Sequence, residues 1–252
     1  MPQIAIIGGT GLTSLKGLQI THKEVVHTSY GEPSAPLIYG DLFGREVVFL
    51  ARHGAGHTIP PHQINYRANI QALKQSDVKQ IIGVAAVGGI HRDAGPGVLV
   101  IPDQIIDYTW GRKNTFFEDK LSEVTHVDFS YPYSKVLRQL LIESATDAGV
   151  SAVDGGVYGA TQGPRLETAA EIRRLERDGC TIVGMTGMPE AALARELEMD
   201  YACCAVIANW AAGKDDGREI SMAEIEQNLV SGMEQVRKVL EKIVPRCILN
   251  GN

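Results

Sequence analysis

The sequence predicts an α/β fold: a single domain, residues 1–252, built on a mixed β-sheet flanked by helices on both faces. Three observations predict it. Short β-branched runs are apolar throughout rather than alternating, as strands buried on both faces read. Capped or amphipathic helical patterns lie between several of them. No linker-like composition and no repeat divides the 252 residues, a length that one large core can accommodate.

The elements follow in order. "IAIIGGTG" is a strand running into a glycine turn, and "VVFLARHG" is a second strand ending on Arg52 and His53. "PPHQINYRANIQALKQ" is a helical pattern opened by prolines, which suit a first turn. "IIGVAAVGG" and "VLVIPDQIID" are further strands. In "ETAAEIRRLERDG", Thr168 and Glu171 form a capping box and Gly179 is a stop. "TIVGMTG" is a strand, and in "GMTGMPEAALARE" Thr186 stands just ahead of a helix whose first turn contains Pro189. The apolar run of "YACCAVIAN" from Cys203 to Ala208 reads as a buried strand that stops on Asn209. The last helix, "SMAEIEQNLVSGMEQVRKVLEKIV", repeats the capping signal with Ser221 and Glu224. Its apolar stripe is Ile225, Leu229, Met233, Val236, Leu240 and Ile243, at steps of three and four.

Composition narrows the function classes. A net charge of −6 with a pI near 5.7 lacks the basic footprint of a nucleic-acid binder. No apolar run is long enough to span a bilayer, and the first residues show neither a basic n-region nor a cleavage site. Cys180, Cys203, Cys204 and Cys247 form no zinc-type or CxxC spacing; the adjacent pair reads as small buried hydrophobes. A cytoplasmic, reduced protein without metal, membrane or nucleic-acid partner is the expectation.

The unusual polar residues sit at strand ends, where ligands gather in such folds. Gly8, Gly9 and Gly11 let backbone N–H groups close on an anion, with the Thr10 hydroxyl as a further donor. A tight structural turn is the other use of these glycines. They form neither a GxGxxG register nor a P-loop, so a nicotinamide-dependent oxidoreductase has little support. Arg52 suits bidentate recognition of phosphate or carboxylate and His53 adds a donor; a solvated loop with a salt bridge is the alternative. Ala86 offers a backbone N–H at a third strand end. Thr186, at a helix N-terminus, is placed for an anion, or is simply a cap. The four stretches point to one small oxyanion.

Taken in order, "GGTGL", "ARHG", "QGPRLET", "GMTGMPEAALARE" and "VIAN" resemble the trimeric purine nucleoside and methylthioadenosine phosphorylases over nearly the whole chain. The resemblance implies a nucleoside phosphorylase-like fold, a homotrimer, and reversible pentosyl transfer between a purine and inorganic phosphate. Phosphate is a co-substrate; no cofactor is implied. Thr10, Arg52, His53, the Ala86 backbone and Thr186 would hold phosphate, with Met185 along the ribose. Ala85 occupies a position where relatives often have Asn or Thr. Where the methylthioadenosine enzymes carry two aspartates, this chain has Asn209 and Ala211. The 6-oxopurine enzymes have asparagine at the first position, suited to accept from N7–H and donate to O6. Glu167 matches a glutamate of those enzymes that accepts from N1–H.

At the other end of the nucleoside, Met222 replaces a histidine found in enzymes that use a 5′-hydroxyl. Its thioether suits a methylthio group, and Ile225 extends the apolar wall; helix packing is the plainer role of both. His57 and His126 match positions near the 5′ pocket, His126 reaching in from a neighbouring subunit. Asn209, Glu167 and His53 are thus the catalytic candidates, and S-methyl-5′-thioinosine is the implied substrate. Inosine or guanosine and methylthioadenosine are the alternatives within this class. A non-catalytic nucleoside-binding protein is the alternative outside it.

Overall fold

The computed structural model describes residues 3–118, 124–216 and 218–247. Strand β1 (Ile4–Gly8) is followed by β2 (Gln19–Glu24), β3 (Leu37–Leu42), β4 (Arg45–Ala51), helix α1 (Tyr66–Gln75), β5 (Gln80–Gly89), β6 (Leu99–Ile101) and β7 (Gln104–Asp107). Then come α2 (Lys135–Asp147), β8 (Ala152–Asp154), β9 (Val157–Ala160), α3 (Ala169–Arg177), β10 (Ile182–Gly184), α4 (Gly187–Glu196), β11 (Asp200–Trp210) and α5 (Met222–Ile243). The strands form one mixed sheet.

β5 is its hub. One edge of β5 runs parallel to β1, from Ile4↔Gln80 to Ile7↔Gly83, and then antiparallel to β10, with Val183↔Gly88. The other edge runs parallel to β11 along its whole length. Alternation along the strands sorts side chains into two layers. Ala5, Ile7, Leu50, Ile81 and Cys203 pack with Ile70 and Leu73 of α1 and Leu193 of α4. Ile4, Ile6, Phe49, Ile82 and Cys204 pack with Leu137 and Leu141 of α2 and Leu240 and Ile243 of α5. Both faces are therefore covered, which is why these strands are apolar at every position.

The capping box forms as expected: Thr168 accepts from Glu171 N–H, and the Glu171 carboxylate accepts from Thr168 N–H. Gly179 follows at φ +93. The stripe of α5 faces the core, with Leu229, Val236, Leu240 and Ile243 buried and Ile225 and Met233 partly so. The four cysteines are buried and free. No helix among the described residues is long and apolar enough to cross a membrane.

Four local expectations change. The prolines do not open α1: Pro61–Gln63 is a 3-10 turn, Ile64 is extended, and Asn65 caps α1 by accepting from Ala68 N–H. β11 does not stop on Asn209 but runs to Trp210, through a register shift between Ile207 and Asn209. At α5, Ser221 accepts from Glu224 N–H, one half of the expected box. In α4, Met188 is extended at φ −118, ψ 140, so the regular helix begins at Pro189 rather than directly after Thr186.

Candidate active site

The carboxyl ends of β4, β1, β5 and β11 open into one cavity of about 640 Å³. It is the crevice that parallel strands leave at their carboxyl edge. Of the residues picked from the sequence, Gly9, Thr10, Arg52, His53, His57, Ala85, Ala86, Glu167, Met185, Thr186, Asn209, Ala211, Met222 and Ile225 line it, whereas Gly8, Gly11 and His126 do not. His126 is exposed on the segment before α2 and does not line the cavity.

One corner is built around a buried cation. Arg52 is 1% exposed, and it is held by Glu190 of α4 rather than lying in a solvated loop. Its Nε donates to Glu190 Oε2 at 2.6 Å and its Nη2 to Oε1 at 2.7 Å, while Nη1 donates to Val84 O at 2.8 Å. That leaves one N–H on each terminal nitrogen for a ligand. Burial disfavours the charge, but the Glu190 carboxylate more than offsets this and keeps Arg52 cationic. Tyr201 OH donates to Glu190 Oε1 at 2.7 Å. Two glycines make room for this group. A Cβ on Gly83 would meet Tyr201 OH at 2.2 Å, and one on Gly9 would meet Arg52 Nη1 at 2.8 Å.

Ala86 is not at a strand end as expected but inside β5, which runs on to Gly89, and it faces the same corner. β1 leaves the edge of β5 after Gly83 and β10 joins it at Gly88. Peptide groups alternate along a strand, so Ala86 points to the side on which Val84 O meets Arg52. Thr186 closes the corner with a side chain that makes no helix-cap bond, so the plain capping role is not the one it fills.

His53 corrects an expectation. Its Nδ1 lies 2.8 Å from Ile59 O; a carbonyl only accepts, so Nδ1 carries the proton. Burial, only partly countered by that bond, brings the imidazole down to about 4. The ring is neutral at pH 7 and its Nε2 is an acceptor, not the donor first expected. Thr10 Oγ1 pairs with His57 Nε2 at 3.0 Å, and the two imidazoles lie 4.8 Å apart. His57 is held at φ +52, a conformation uncommon outside glycine.

The opposite wall carries the amide and the carboxylate. The shift in β11 inserts Ala208, so that Asn209 rather than Ala208 stands against Gly88. Consecutive side chains 208 and 209 therefore both line the cavity, which regular alternation forbids. Asn228 of α5 donates to Ala208 O at 2.9 Å and holds the bulge. Asn209 Nδ2 donates to Trp210 O at 2.6 Å. That bond settles which end of the amide is nitrogen, leaving Oδ1 as an acceptor and a second N–H as a donor. Glu167 accepts from Thr161 Oγ1 at 2.6 Å, and Ala211 N–H donates to Gly89 O at 2.8 Å.

The third wall is apolar: Ile220, just before α5, and Met222, Ile225 and Leu229 along its N-terminal part. Met222 is 70% exposed.

Glu190, Tyr201, Asn228 and Arg112 were not picked out from sequence. Glu190 lies in the first turn of α4, a common place for an acid. Its partner Arg52 is 138 residues away, and no local pattern marks the pairing.

Known proteins resemble this chain in sequence and fold. The Phosphorylase superfamily profile matches residues 3–245. A protein of Pseudomonas syringae pv. tomato named probable S-methyl-5′-thioinosine phosphorylase is 58% identical, over 97% of this chain and 99% of its own. The 6-oxopurine nucleoside phosphorylase of Pyrococcus furiosus is 44% identical, over 97% and 93%. Among solved structures, the methylthioadenosine phosphorylase of Schistosoma mansoni in complex with adenine matches with a TM-score of 0.93. It is 31% identical, over 98% of this chain and 92% of that one.

Proposed function

The chain belongs to the phosphorylase superfamily, and we propose that it cleaves S-methyl-5′-thioinosine with phosphate to hypoxanthine and 5-(methylthio)ribose 1-phosphate. One observation carries the reading. A single cavity holds a cationic anion corner, an amide–carboxylate pair at Asn209 and Glu167, and an apolar end at Met222 and Ile225. The relative at 58% identity, named for the same reaction, supports it.

In this reading phosphate sits against Arg52, Thr10, Thr186 and the Ala86 N–H, below C1′, with Met185 along the ribose. The neutral His53 Nε2 accepts a hydrogen bond from the P–O–H of hydrogen phosphate, which keeps its proton. A phosphate oxygen forms the bond to C1′ as the C1′–N9 bond breaks, and that electron pair leaves with the purine. Holding both reactants in line supplies much of the rate. The departing base takes a proton from solvent at N7, the resulting N7–H donates a hydrogen bond to Asn209 Oδ1, and the free Nδ2–H donates to O6. Glu167 accepts from N1–H. These contacts strengthen as charge builds on the ring, and so they act on the transition state. An aspartate in place of Asn209 would repel O6 unless protonated. The displacement as written needs phosphate alone as co-substrate.

A trimeric assembly in the cytoplasm is part of the proposal. In it, His126 of a neighbouring chain comes against the exposed Met222 and His57 at the 5′ end. Inosine is the second reading, favoured by His57, a polar group near that end, and by the 44% identical relative.

Release of free base from S-methyl-5′-thioinosine, methylthioadenosine and inosine, each with phosphate, separates the readings. The methylthioinosine is expected to give the highest kcat/KM. A preference for inosine would reject the role given to Met222, and a preference for methylthioadenosine the role given to Asn209. Sedimentation of the pure protein tests the trimer.

A further inference from the structure

Arg112 does not line the cavity, yet it is bonded to both segments that do. It lies between β7 and α2, with its guanidinium 5.5 Å from the Tyr66 ring centre. Its Nη1 donates to Met185 O at 2.8 Å and Met188 O at 2.6 Å, bracketing Thr186. Its Nη2 donates to Gln162 O at 2.9 Å and Thr161 O at 3.2 Å. Nε reaches the Gln162 side chain at 3.2 Å. Thr161 in turn holds Glu167.

Four backbone carbonyls from two segments thus converge on one planar cation. A guanidinium spreads its donors in a rigid fork, whereas an ammonium offers a single point. Besides the Gln162 side chain and Tyr66 OH, which Nη1 reaches at 3.2 Å, these partners are main-chain atoms, so the fork acts chiefly on the path of the backbone.

We propose that Arg112 is a positioning residue that sets the spacing between the Met185–Met188 segment, which faces the anion, and the Thr161–Glu167 loop, which faces the base. The inference rests on the reading of the two ends of the cavity given above. Its consequence is that one residue outside the site governs both substrates. A displacement of about 1 Å between reacting groups is enough to lower the rate about a hundredfold.

The test uses Arg112→Lys and Arg112→Ala in the full chain, with nucleoside and phosphate varied separately and thermal unfolding followed in parallel. Arg112→Lys is expected to lower kcat/KM about tenfold or more, to raise KM for both substrates, and to leave the unfolding midpoint near that of the parent. Millimolar guanidinium is expected to restore part of the activity of Arg112→Ala without raising its midpoint. The proposal is overturned if Arg112→Lys has parental kinetics, if KM for only one substrate rises, or if Arg112→Lys fails to fold. It is also overturned if a folded Arg112→Ala shows no rescue. The unsubstituted chain is the control for the substrate: no hypoxanthine released by it rejects the reading of the cavity. In that case, thermal shifts of parent and Arg112→Lys with phosphate and with hypoxanthine still test the coupling of the two segments. Equal shifts in parent and variant would reject it.

Discussion

The two ends of the cavity are made differently. The anion corner is part of the core: Arg52 and Glu190 are buried to within 1% of their side-chain surface, and Tyr201 beside them is 3% exposed. The apolar end is made by the first turn of α5, where Met222 is 70% exposed. A buried ion pair survives only with complete partnering, because each charge left alone carries a large desolvation penalty. A surface methionine answers to no such demand. The lesson is a division of labour. In the proposed reading, the cation assigned to phosphate is locked by folding, whereas the methionine assigned to the 5′ end sits where exchange is cheap.

The largest test of that contrast is Glu190→Gln. It leaves Arg52 charged and buried without its counter-ion, with an expected loss of about 3–5 kcal/mol of stability. Phosphate-dependent turnover should fall to background. Denaturant unfolding and steady-state kinetics on the same preparation check both; full activity with unchanged stability would dissolve the distinction between the ends.

Next in size is Asn209→Ala, which removes directed contacts to the leaving base without unpairing a charge. Turnover of 6-oxopurine nucleosides is expected to drop about a hundredfold or more, with a much smaller change in stability than Glu190→Gln brings. Parental kinetics would remove the base assignment.

An acid titration sharpens the same comparison. The His53 imidazole falls from its ordinary 6.5 to about 4 in the folded chain. Neutral His53 therefore contributes stability that is complete above pH 6.5 and is lost as pH falls toward 4. His53→Gln should flatten that part of the stability–pH curve. Chemical unfolding at stepped pH is the measurement, and superimposable curves would contradict the burial argument.

The smallest effect belongs to the apolar end. Met222→His should change stability by no more than about 0.5 kcal/mol, as exposed sites do. It should still move preference from the 5′-methylthio toward the 5′-hydroxyl nucleoside by a few fold, about 1 kcal/mol. The ratio of kcat/KM values for the two reads it directly; an unmoved ratio would leave the choice of substrate to other walls.

Legibility in sequence followed the range of the interactions. The Thr168–Glu171 box and the stripe of α5 are spaced within one or two helical turns, so the spacing alone predicts them. The strand ends near Thr10, Arg52 and Asn209 were visible because apolar runs meet glycine or a polar residue there; Ala86 was misplaced, since β5 runs on past it to Gly89. β2 was not visible, since all its residues are exposed and it has no buried face to set a pattern. The bulge at Ala208 was missed because it depends on pairing with β5, over a hundred residues earlier in the chain.

Sequence by itself determined the class of fold, the strand ends where polar groups collect, and the residue types offered to an anion and a purine. Periodicity, caps and turns are local, and the order of short motifs is a property of the chain. Only the tertiary structure decided that Arg52 is neutralised by Glu190, that His53 presents an acceptor, and that Arg112 ties two segments it does not adjoin. Those properties depend on burial and on partners distant in sequence, and neither exists until the sheet has brought them together.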